Sequence, residues 1–225
     1  MRTVRTVKTP TLGATWLAVA VVVVGTACSS SSKAGLPATT ARPGSTSSSV
    51  ASACATGGSA SGGQGGGDVL VPGDIPDNQV YVAYQSPTDG YRLSVPEGWA
   101  RTASTGEVTF RDKLNSIRLQ LRSATSAPSV SSAQASDVAA LAVSTPCFEA
   151  GQVSAVTRTA GAAVLITYRA HSPADPVTGK VVQLDVERYE FWRAGKLAVI
   201  TLSSPRGSDN VDPWRKVTDS FSWGP

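Results

Sequence analysis

The sequence predicts an α+β fold, an antiparallel β-sheet with helices packed on it, from about residue 74 onward. Three observations predict it. The strict alternation of apolar and polar residues in SIRLQLRS (116–123) is typical of a strand with one buried face. Two longer apolar runs joined by the tight turn RAGK (193–196) predict a β-hairpin. Apolar residues at helical spacing in 131–143 and 212–221 predict helices before and after the central hairpins.

Two strands are predicted ahead of the alternating one. The segments VYVAY (80–84) and YRLSVP (91–96) are rich in β-branched and aromatic residues. Between them, PTDG (87–90) has the Pro and Gly of a tight turn. The sheet is therefore expected to begin near residue 80.

The first helix is predicted over about residues 131–143. Ser131 and Gln134 have the spacing of a capping box that would open it. The residues expected to face the sheet are Val138, Leu141 and Ala142.

Two strands that turn at Gly161 follow this helix. They are VSAVTRT (153–159) and AAVLITYRA (162–170). Because the second is apolar on both faces, it is expected to be the central strand of the sheet.

The long hairpin 181–204 changes the phase of its apolar residues. Val182, Leu184 and Val186 share one parity, whereas Tyr189 and Phe191 share the other. This pattern predicts either a β-bulge near Glu187 or a strand buried on alternate sides along its length.

The last helix is predicted from SDNVDPWRKVTDSFSW (208–223). Asp212 is expected as the N-cap and Pro213 as the first helical residue. The apolar residues at helical spacing are Trp214, Val217 and Phe221.

Three segments of this domain carry a family resemblance. GYRLSVPEGW (90–99), the hairpin within 186–205 and PWRKVTDSFSW (213–223) resemble the PsbP-like superfamily. That superfamily includes the PsbP subunit of photosystem II, Ran-binding Mog-type proteins, and the LpqN and LpqT lipoproteins of mycobacteria. The resemblance implies an α/β/α sandwich used for binding and for supporting larger assemblies, with no catalytic signature. It does not by itself name a partner.

The N-terminal residues 1–27 have the profile of a secretory signal peptide. A basic start is followed by about eleven apolar residues, which is too short for a comfortable membrane span. Gly25-Thr26-Ala27-Cys28 resembles the bacterial lipobox, although Gly25 stands where that pattern favours Leu. The resemblance implies cleavage before Cys28, with diacylglyceryl and palmitate on that cysteine as in actinobacterial lipoproteins. Plain secretion without a lipid is the alternative.

Residues 28–67 are predicted to be a disordered tether and residues 68–225 the folded domain. Ser, Thr, Gly, Ala or Pro occupies 33 of the 40 tether positions, and such a segment buries too little apolar surface to order. Its root-mean-square reach is roughly 35 Å. Without residues 1–27, 17 Lys and Arg face 16 Asp and Glu, so the charge gives little support for nucleic-acid binding.

The remaining cysteines, Cys54 and Cys147, are expected to form a disulfide after export to an oxidising compartment. Closing so long a loop would stabilise the fold by at most about 4–5 kcal/mol. Two separate thiols are the alternative. No cofactor is expected, and the cysteine spacing together with the single histidine, His171, predicts no metal site.

Candidate catalytic and binding residues are weak in this sequence. His171 and Asp175 would need a serine nucleophile, but no Gly-x-Ser-x-Gly elbow is present, and His171 falls in a turn-rich stretch that predicts a hairpin loop. Asp209, Asn210 and Asp212 lack the later glutamate of a calcium loop and are better explained as turn and cap residues. The tryptophans that would form a sugar platform, or more simply part of the core, are Trp99, Trp192, Trp214 and Trp223.

The sequence therefore favours a lipid-anchored, non-enzymatic binding module on the outer face of the cell membrane. Its expected partner is an envelope protein or a glycolipid. An envelope hydrolase acting on lipid or cell-wall material is the first alternative, and a secreted ligand carrier without a lipid is the second. A pocket with an activated serine or an acid pair would favour the hydrolase.

Overall fold

The computed structural model describes Cys54 and residues 72–224. The predicted signal peptide, the lipidation site Cys28 and all of the tether except Cys54 lie outside the described residues. By its internal contacts, Ser45–Pro225 forms one compact unit.

The described residues form two antiparallel sheets. The small sheet has the order β1-β2-β10, and the large sheet has the order β3-β4-β5-β9-β8-β7-β6. In chain order the strands are β1 (Tyr81–Gln85), β2 (Tyr91–Pro96), β3 (Ala100–Ser104), β4 (Glu107–Asp112), β5 (Asn115–Ser123), β6 (Glu149–Arg158), β7 (Gly161–His171), β8 (Gln183–Arg193), β9 (Lys196–Pro205) and β10 (Ser222–Trp223).

Two helices pack on the large sheet. The first, α1, is a continuous run of an α-helix (Val130–Ser132), a π-helix (Ala133–Asp137) and a second α-helix (Val138–Ser144). The second helix, α2, is Val211–Ser220. This arrangement is the α+β fold that the sequence predicts.

One face of the large sheet, the core face, packs against the small sheet and α2. Phe191 of β8 contacts Phe221 just after α2, with ring centroids 5.0 Å apart. Fully buried aliphatic and aromatic side chains each contribute about 1.5–3 kcal/mol through burial, so this cluster is the main core. Its sheet members include Val108, Phe110, Ile117, Leu119, Tyr189, Phe191, Ala198, Ile200 and Leu202, and its cover includes Tyr91, Leu93, Val95, Trp214, Val217 and Phe221.

The opposite face of the large sheet divides at β8 into two halves. The half formed by β6, β7 and β8 is apolar and lies under α1, where Ala133 is fully buried. The sheet residues of this second core include Val164, Ile166, Tyr168 and Val186. The half formed by β3, β4, β5 and β9 carries mostly polar side chains on this face, such as Thr109, Arg118 and Thr201.

The phase change in β8 reflects burial on alternate sides, and a bulge near Glu187 is not formed. β8 pairs without a register shift with both β7 and β9. Val186 packs under α1, whereas Tyr189 and Phe191 belong to the main core. The bulge occurs instead in β6, between Ala150 and Val153.

The predicted start of α1 is wrong by two residues. The capping box is formed by Ser129 and Ser132, whose side chains and backbone amides bond reciprocally, and Ser131 and Gln134 do not form it. Ala142, predicted to face the sheet, is exposed, because the line of contact runs through Ala133, Val138 and Leu141.

The predicted N-cap of α2 is also wrong. The helix begins at Val211 after Asn210, and Asp212 lies inside the first turn. The Asn210 side chain makes no cap hydrogen bond, because it is bonded to the N-terminal segment of the domain at Gly73 and Ile75. A hydrogen bond between residues 135 positions apart in the chain therefore determines that Asn210 does not cap α2.

Two strand assignments also differ from the predictions. β3 and β4 form a hairpin that the sequence patterns above do not predict, and all five residues of β3 are exposed. β7 is an inner strand between β6 and β8, as its apolar faces require, but the middle strand of the seven is β9.

Candidate functional site

A groove of about 370 Å³ lies at one end of the large sheet, beside the start of α2. Its size falls within the range of small-molecule sites. The sheet contributes residues from β6 to β9, and the other wall comes from the loop after β9 and the first turn of α2. The groove is lined by Glu149, Ala150, Gly151, Thr167, Tyr168, Arg169, Asp185, Val186, Glu187, Ser204, Ser208, Asn210, Val211 and Trp214.

Strand register places a row of charged side chains across the groove. Glu149 of β6 is opposite Arg169 of β7, which is opposite Asp185 of β8. Arg169 Nε lies 3.2 Å from Asp185 Oδ1, and Arg169 Nη1 lies 3.7 Å from Glu149 Oε2. All three side chains are about half exposed, so these pairs orient the groups more than they stabilise the fold.

A second acidic side chain, Glu187, follows Asp185 on the same face of β8. The hydroxyl of Tyr189 donates to Glu187 Oε2 at 2.8 Å, and Arg158 Nη2 donates to that hydroxyl at 3.0 Å. Burial, followed by the neighbouring Glu187 charge, raises the pKa of Tyr189 to about 12. Tyr189 therefore stays protonated at neutral pH and holds Glu187 as a hydrogen-bond donor.

The bulge in β6 brings the backbone close to β7 at the groove. The amide of Gln152 donates to Thr167 Oγ1 at 2.8 Å. A Cβ at Gly151 would lie 2.5 Å from both the carbonyl oxygen and Oγ1 of Thr167, which real structures do not tolerate. Gly151 is thus required for this close approach, and it leaves the floor of the groove open.

The opposite wall is held by the N-terminal segment of the domain. Asn210 Oδ1 accepts from the buried amide of Ile75 at 2.8 Å, and Asn210 Nδ2 donates to the carbonyl of Gly73 at 2.9 Å. Gly73 has a φ of +105°, and a Cβ there would overlap Pro205 and Ser208. The wall beside α2 is consequently fixed by contacts that only glycine at position 73 permits.

The groove offers hydrogen-bond acceptors in excess. Three carboxylates stand against one guanidinium, and the lining also contains the hydroxyls of Thr167, Ser204 and Ser208. Within residues 72–224 and Cys54, no group of three or more His, Cys, Asp or Glu side chains is placed to hold a metal ion. The oxygen atoms of this lining can accept hydrogen bonds from a polar ligand.

Of the predicted site residues, Asn210 and Trp214 line the groove, and the others lie away from it. Cys54 and Cys147 form a disulfide with Cα atoms 5.4 Å apart. His171 is buried at the end of β7 opposite Gln183, and not in a hairpin loop as the turn-rich sequence predicts. Asp175 is an exposed turn residue, and hydrogen bonds from Thr178 and Val177 lower its pKa.

The remaining candidates also have structural roles. Asp209 donates its backbone amide to Asp74 Oδ1 at 2.9 Å, and Asn210 bonds to the N-terminal segment as described above. The four tryptophans are buried or half-buried. For example, Trp99 packs edge-on against Trp214, and Trp192 Nε1 donates to the carbonyl of Ala124. Trp99, Trp214 and Trp223 pack in the main core, whereas Trp192 belongs to neither core cluster.

The sequence predictions missed the charged residues of the groove, although one signal was present. Asp185 and Glu187 share the parity of Tyr189 and Phe191 in β8, which lie in the main core. When charged residues occupy one end of a strand face whose other residues are buried, the elements that cover that face must stop before that end. The opposing Glu149 and Arg169 could not be aligned without the strand register.

No helix among the described residues is long and apolar enough to span a membrane. No protein-family model matches the sequence, and no curated protein matches it.

Solved structures of similar fold exist at low sequence identity. Cyanobacterial PsbP (CyanoP) from Synechocystis sp. PCC 6803 is 19% identical, with a TM-score of 0.46, 67% of this chain covered and 98% of that one. The Ran-binding protein Mog1p of Saccharomyces cerevisiae is 13% identical, with a TM-score of 0.41 and coverages of 64% and 95%. LpqN of Mycobacterium tuberculosis, involved in cell envelope biogenesis, is 15% identical, with a TM-score of 0.36 and coverages of 69% and 90%.

The chain spans about half of a longer structure from Bacteroides thetaiotaomicron, covering 48% of it at 10% identity and a TM-score of 0.43. These are likenesses of fold at 10–19% sequence identity. They identify neither a ligand nor a partner for this chain.

Proposed function

We propose that this protein is a cell-envelope lipoprotein, anchored through Cys28, whose folded domain is a non-enzymatic binding module. Its groove takes an envelope partner, either a protein or a glycolipid. The observation that supports this proposal best is the groove itself. Its charged side chains bond to one another, and its lining contains neither histidine nor cysteine.

The arrangement suits binding better than catalysis for a physical reason. A general base must be free to take a proton from a bound group within hydrogen-bond reach. Here Asp185 is engaged by Arg169 and by the amide of Gly207, and Glu187 by Tyr189. Binding requires only that the oriented acceptors meet complementary donors of a ligand.

An envelope hydrolase is the second candidate, and one observation favours it. Asp185 and Glu187 are two residues apart on one face of β8, so their Cα atoms are about 6.6 Å apart. Two carboxylates that line one groove are the groups that glycosidases use. The pair therefore has to be tested for turnover.

The test uses residues 45–225, the compact unit that holds both cores and the disulfide. We expect no turnover of ester, glycan or peptide substrates, and capture of a specific envelope component. The double substitution Asp185→Asn/Glu187→Gln should abolish capture. The matched control, Asp77→Asn/Glu97→Gln, removes the same charge from exposed positions outside the groove and should retain it.

His171→Ala should also leave capture intact, because His171 does not line the groove. Hydrolysis that is lost in Asp185→Asn/Glu187→Gln would establish the second candidate. If Asp185→Asn/Glu187→Gln and its control capture the component equally, the groove is not the binding site.

A further inference from the structure

The polar half of the second face of the large sheet is a distinct surface, and we name it the open face. It consists of the side chains that β3, β4, β5 and β9 direct to the side of the sheet that carries α1. Register aligns Thr102, Thr109, Arg118 and Thr201 in one row across these strands. Each of these residues is exposed or half-exposed. Four adjacent strands about 4.8 Å apart make this surface wide.

The open face carries a net positive charge. Its cations are Arg111, Arg118 and Arg122, and its one carboxylate is Glu107. Arg118 pairs with Glu107 at 2.7 Å, whereas within residues 72–224 neither Arg111 nor Arg122 forms an ion pair. Both are exposed, and Arg122 Nη2 donates to the neutral amide oxygen Oε1 of Gln120 at 2.7 Å.

Two further exposed cations, Arg193 and Lys196, occupy the turn between β8 and β9, but they do not belong to the open face. They pair with each other at the parity of Phe191 and Ala198, which is that of the core face. The acidic groove residues Asp185 and Glu187 also have the parity of Phe191 in β8. The carboxylates of the groove and the arginines of the open face therefore lie on opposite faces of one sheet.

The amino-acid composition of the open face indicates which kind of partner it fits. Protein interfaces are built around a desolvated core enriched in aromatic residues. The strands β3, β4, β5 and β9 contribute no aromatic side chain to the open face. A wide, basic and hydroxyl-rich surface is instead complementary to a layer of anionic lipid headgroups, which attracts cations without needing apolar anchors.

We propose that the open face docks on the anionic surface of a lipid bilayer through Arg111, Arg118 and Arg122. Docking in this way turns the opposite face, with its groove, away from the bilayer, where a partner can reach it. The interaction is weak for the free domain, because few charges contribute. It does not depend on acylation of Cys28, but where the proposed lipid anchor is present it acts at high local concentration.

The experiment measures co-sedimentation of residues 45–225, which lack Cys28, with lipid vesicles at millimolar lipid. The vesicles contain 30 mol% phosphatidylglycerol in phosphatidylcholine, or phosphatidylcholine alone. We expect binding to the anionic vesicles at about 50 mM salt, with release at about 300 mM because surface charges are then screened. Each arginine contributes about fivefold to the partition coefficient, so Arg111→Gln/Arg122→Gln should lower it about 25-fold.

The matched control is Arg92→Gln/Arg215→Gln, which removes two exposed arginines from β2 and α2, the elements that cover the core face. It should bind almost as the unsubstituted chain does. Circular dichroism and urea melts confirm that both variants are folded. Equal loss in the two double variants, equal binding to neutral vesicles, or no binding to anionic vesicles would each overturn the proposal. Because Cys28 is absent throughout, none of these outcomes bears on the lipid anchor.

Discussion

Arg188 and Glu190 form a buried ion pair on β8, directly beneath α1. Arg188 Nε and Nη2 each lie 2.8 Å from Glu190 Oε1, and the two side chains are only 8% and 1% exposed. Asp137, at the end of the π-helix, approaches Arg188 Nη2 at 3.9 Å. The pair stands at the boundary between the apolar half under α1 and the open face.

Burial raises the pKa of Glu190, and the attraction of Arg188 opposes this shift. Because the folded-state pKa lies above the unfolded value, the contribution of Glu190 to stability is full at pH values below its unfolded pKa. That contribution falls as the pH rises through the folded-state pKa. The cost of burying the two charges and their mutual attraction therefore nearly cancel. Removing one partner lowers the free energy of unfolding more than removing both does, because the remaining charge stays buried without its partner.

Arg188→Met should destabilise the domain at pH 7 by about 3–5 kcal/mol, because Glu190 is left buried without its cation. At acidic pH the cost should shrink, since Glu190 then takes up a proton and becomes neutral. Urea unfolding at pH 7 and near pH 4 measures both values. The double variant Arg188→Met/Glu190→Leu should recover most of the loss, and a double variant as unstable as the single one would contradict this account.

Cys28→Ala should move the protein from the membrane fraction to the medium or leave it as an unprocessed precursor. The lipobox-like run ending in Cys28 motivates this expectation, since cysteine is the residue that receives the lipid. Fractionation and mass spectrometry of the mature N-terminus provide the measurement. Unchanged partitioning, with no acyl chain on the native protein, would establish plain secretion.

Non-reducing peptide mapping should recover Cys54 and Cys147 in one linked fragment. The two residues are 93 positions apart, so removing the bridge with Cys54→Ser/Cys147→Ser should lower the free energy of unfolding by at most about 4–5 kcal/mol. Reduction of the unsubstituted protein should produce the same loss. Recovery of two alkylatable thiols from freshly exported protein would refute the pairing.

Asn210→Ala should cost about 1–3 kcal/mol, because it leaves the buried amide of Ile75 without an acceptor. Asp212→Ala is the control and should change stability by only about 0.5 kcal/mol or less. Thermal or urea melts of the two variants decide between the bonded Asn210 and the N-cap that the sequence predicts at Asp212. The reverse order of costs would show that Asp212 caps the helix.

Much of the fold could be predicted because alternation and helical spacing are local consequences of burial. β5 is recognisable from SIRLQLRS alone, and the hairpin of β8 and β9 from its apolar runs and the turn at Gly195. The failures also have physical causes. All five residues of β3 are exposed, so this strand leaves no apolar pattern to detect.

The groove shows where local patterns stop being informative. Glu149, Arg169 and Asp185 come from three strands, and only the register of those strands makes them neighbours. The spacing of these three residues along the chain does not indicate that they are neighbours. The open face also could not be predicted from local patterns, since its exposed charge depends on which half of the sheet α1 covers.

The sequence by itself determined the α+β class and most of the strands, because each follows from the periodicity of apolar residues. It left two interpretations of β8 open, a bulge near Glu187 or burial on alternate sides, and the strand register decided for the second. Only the tertiary structure decided the groove, the capping of both helices and the boundary at β8. Those features depend on contacts between residues far apart in the chain, such as Asn210 with Ile75. Side chains are free to satisfy such long-range bonds in place of local ones, and the folded state selects the set that leaves the fewest buried polar groups unpaired.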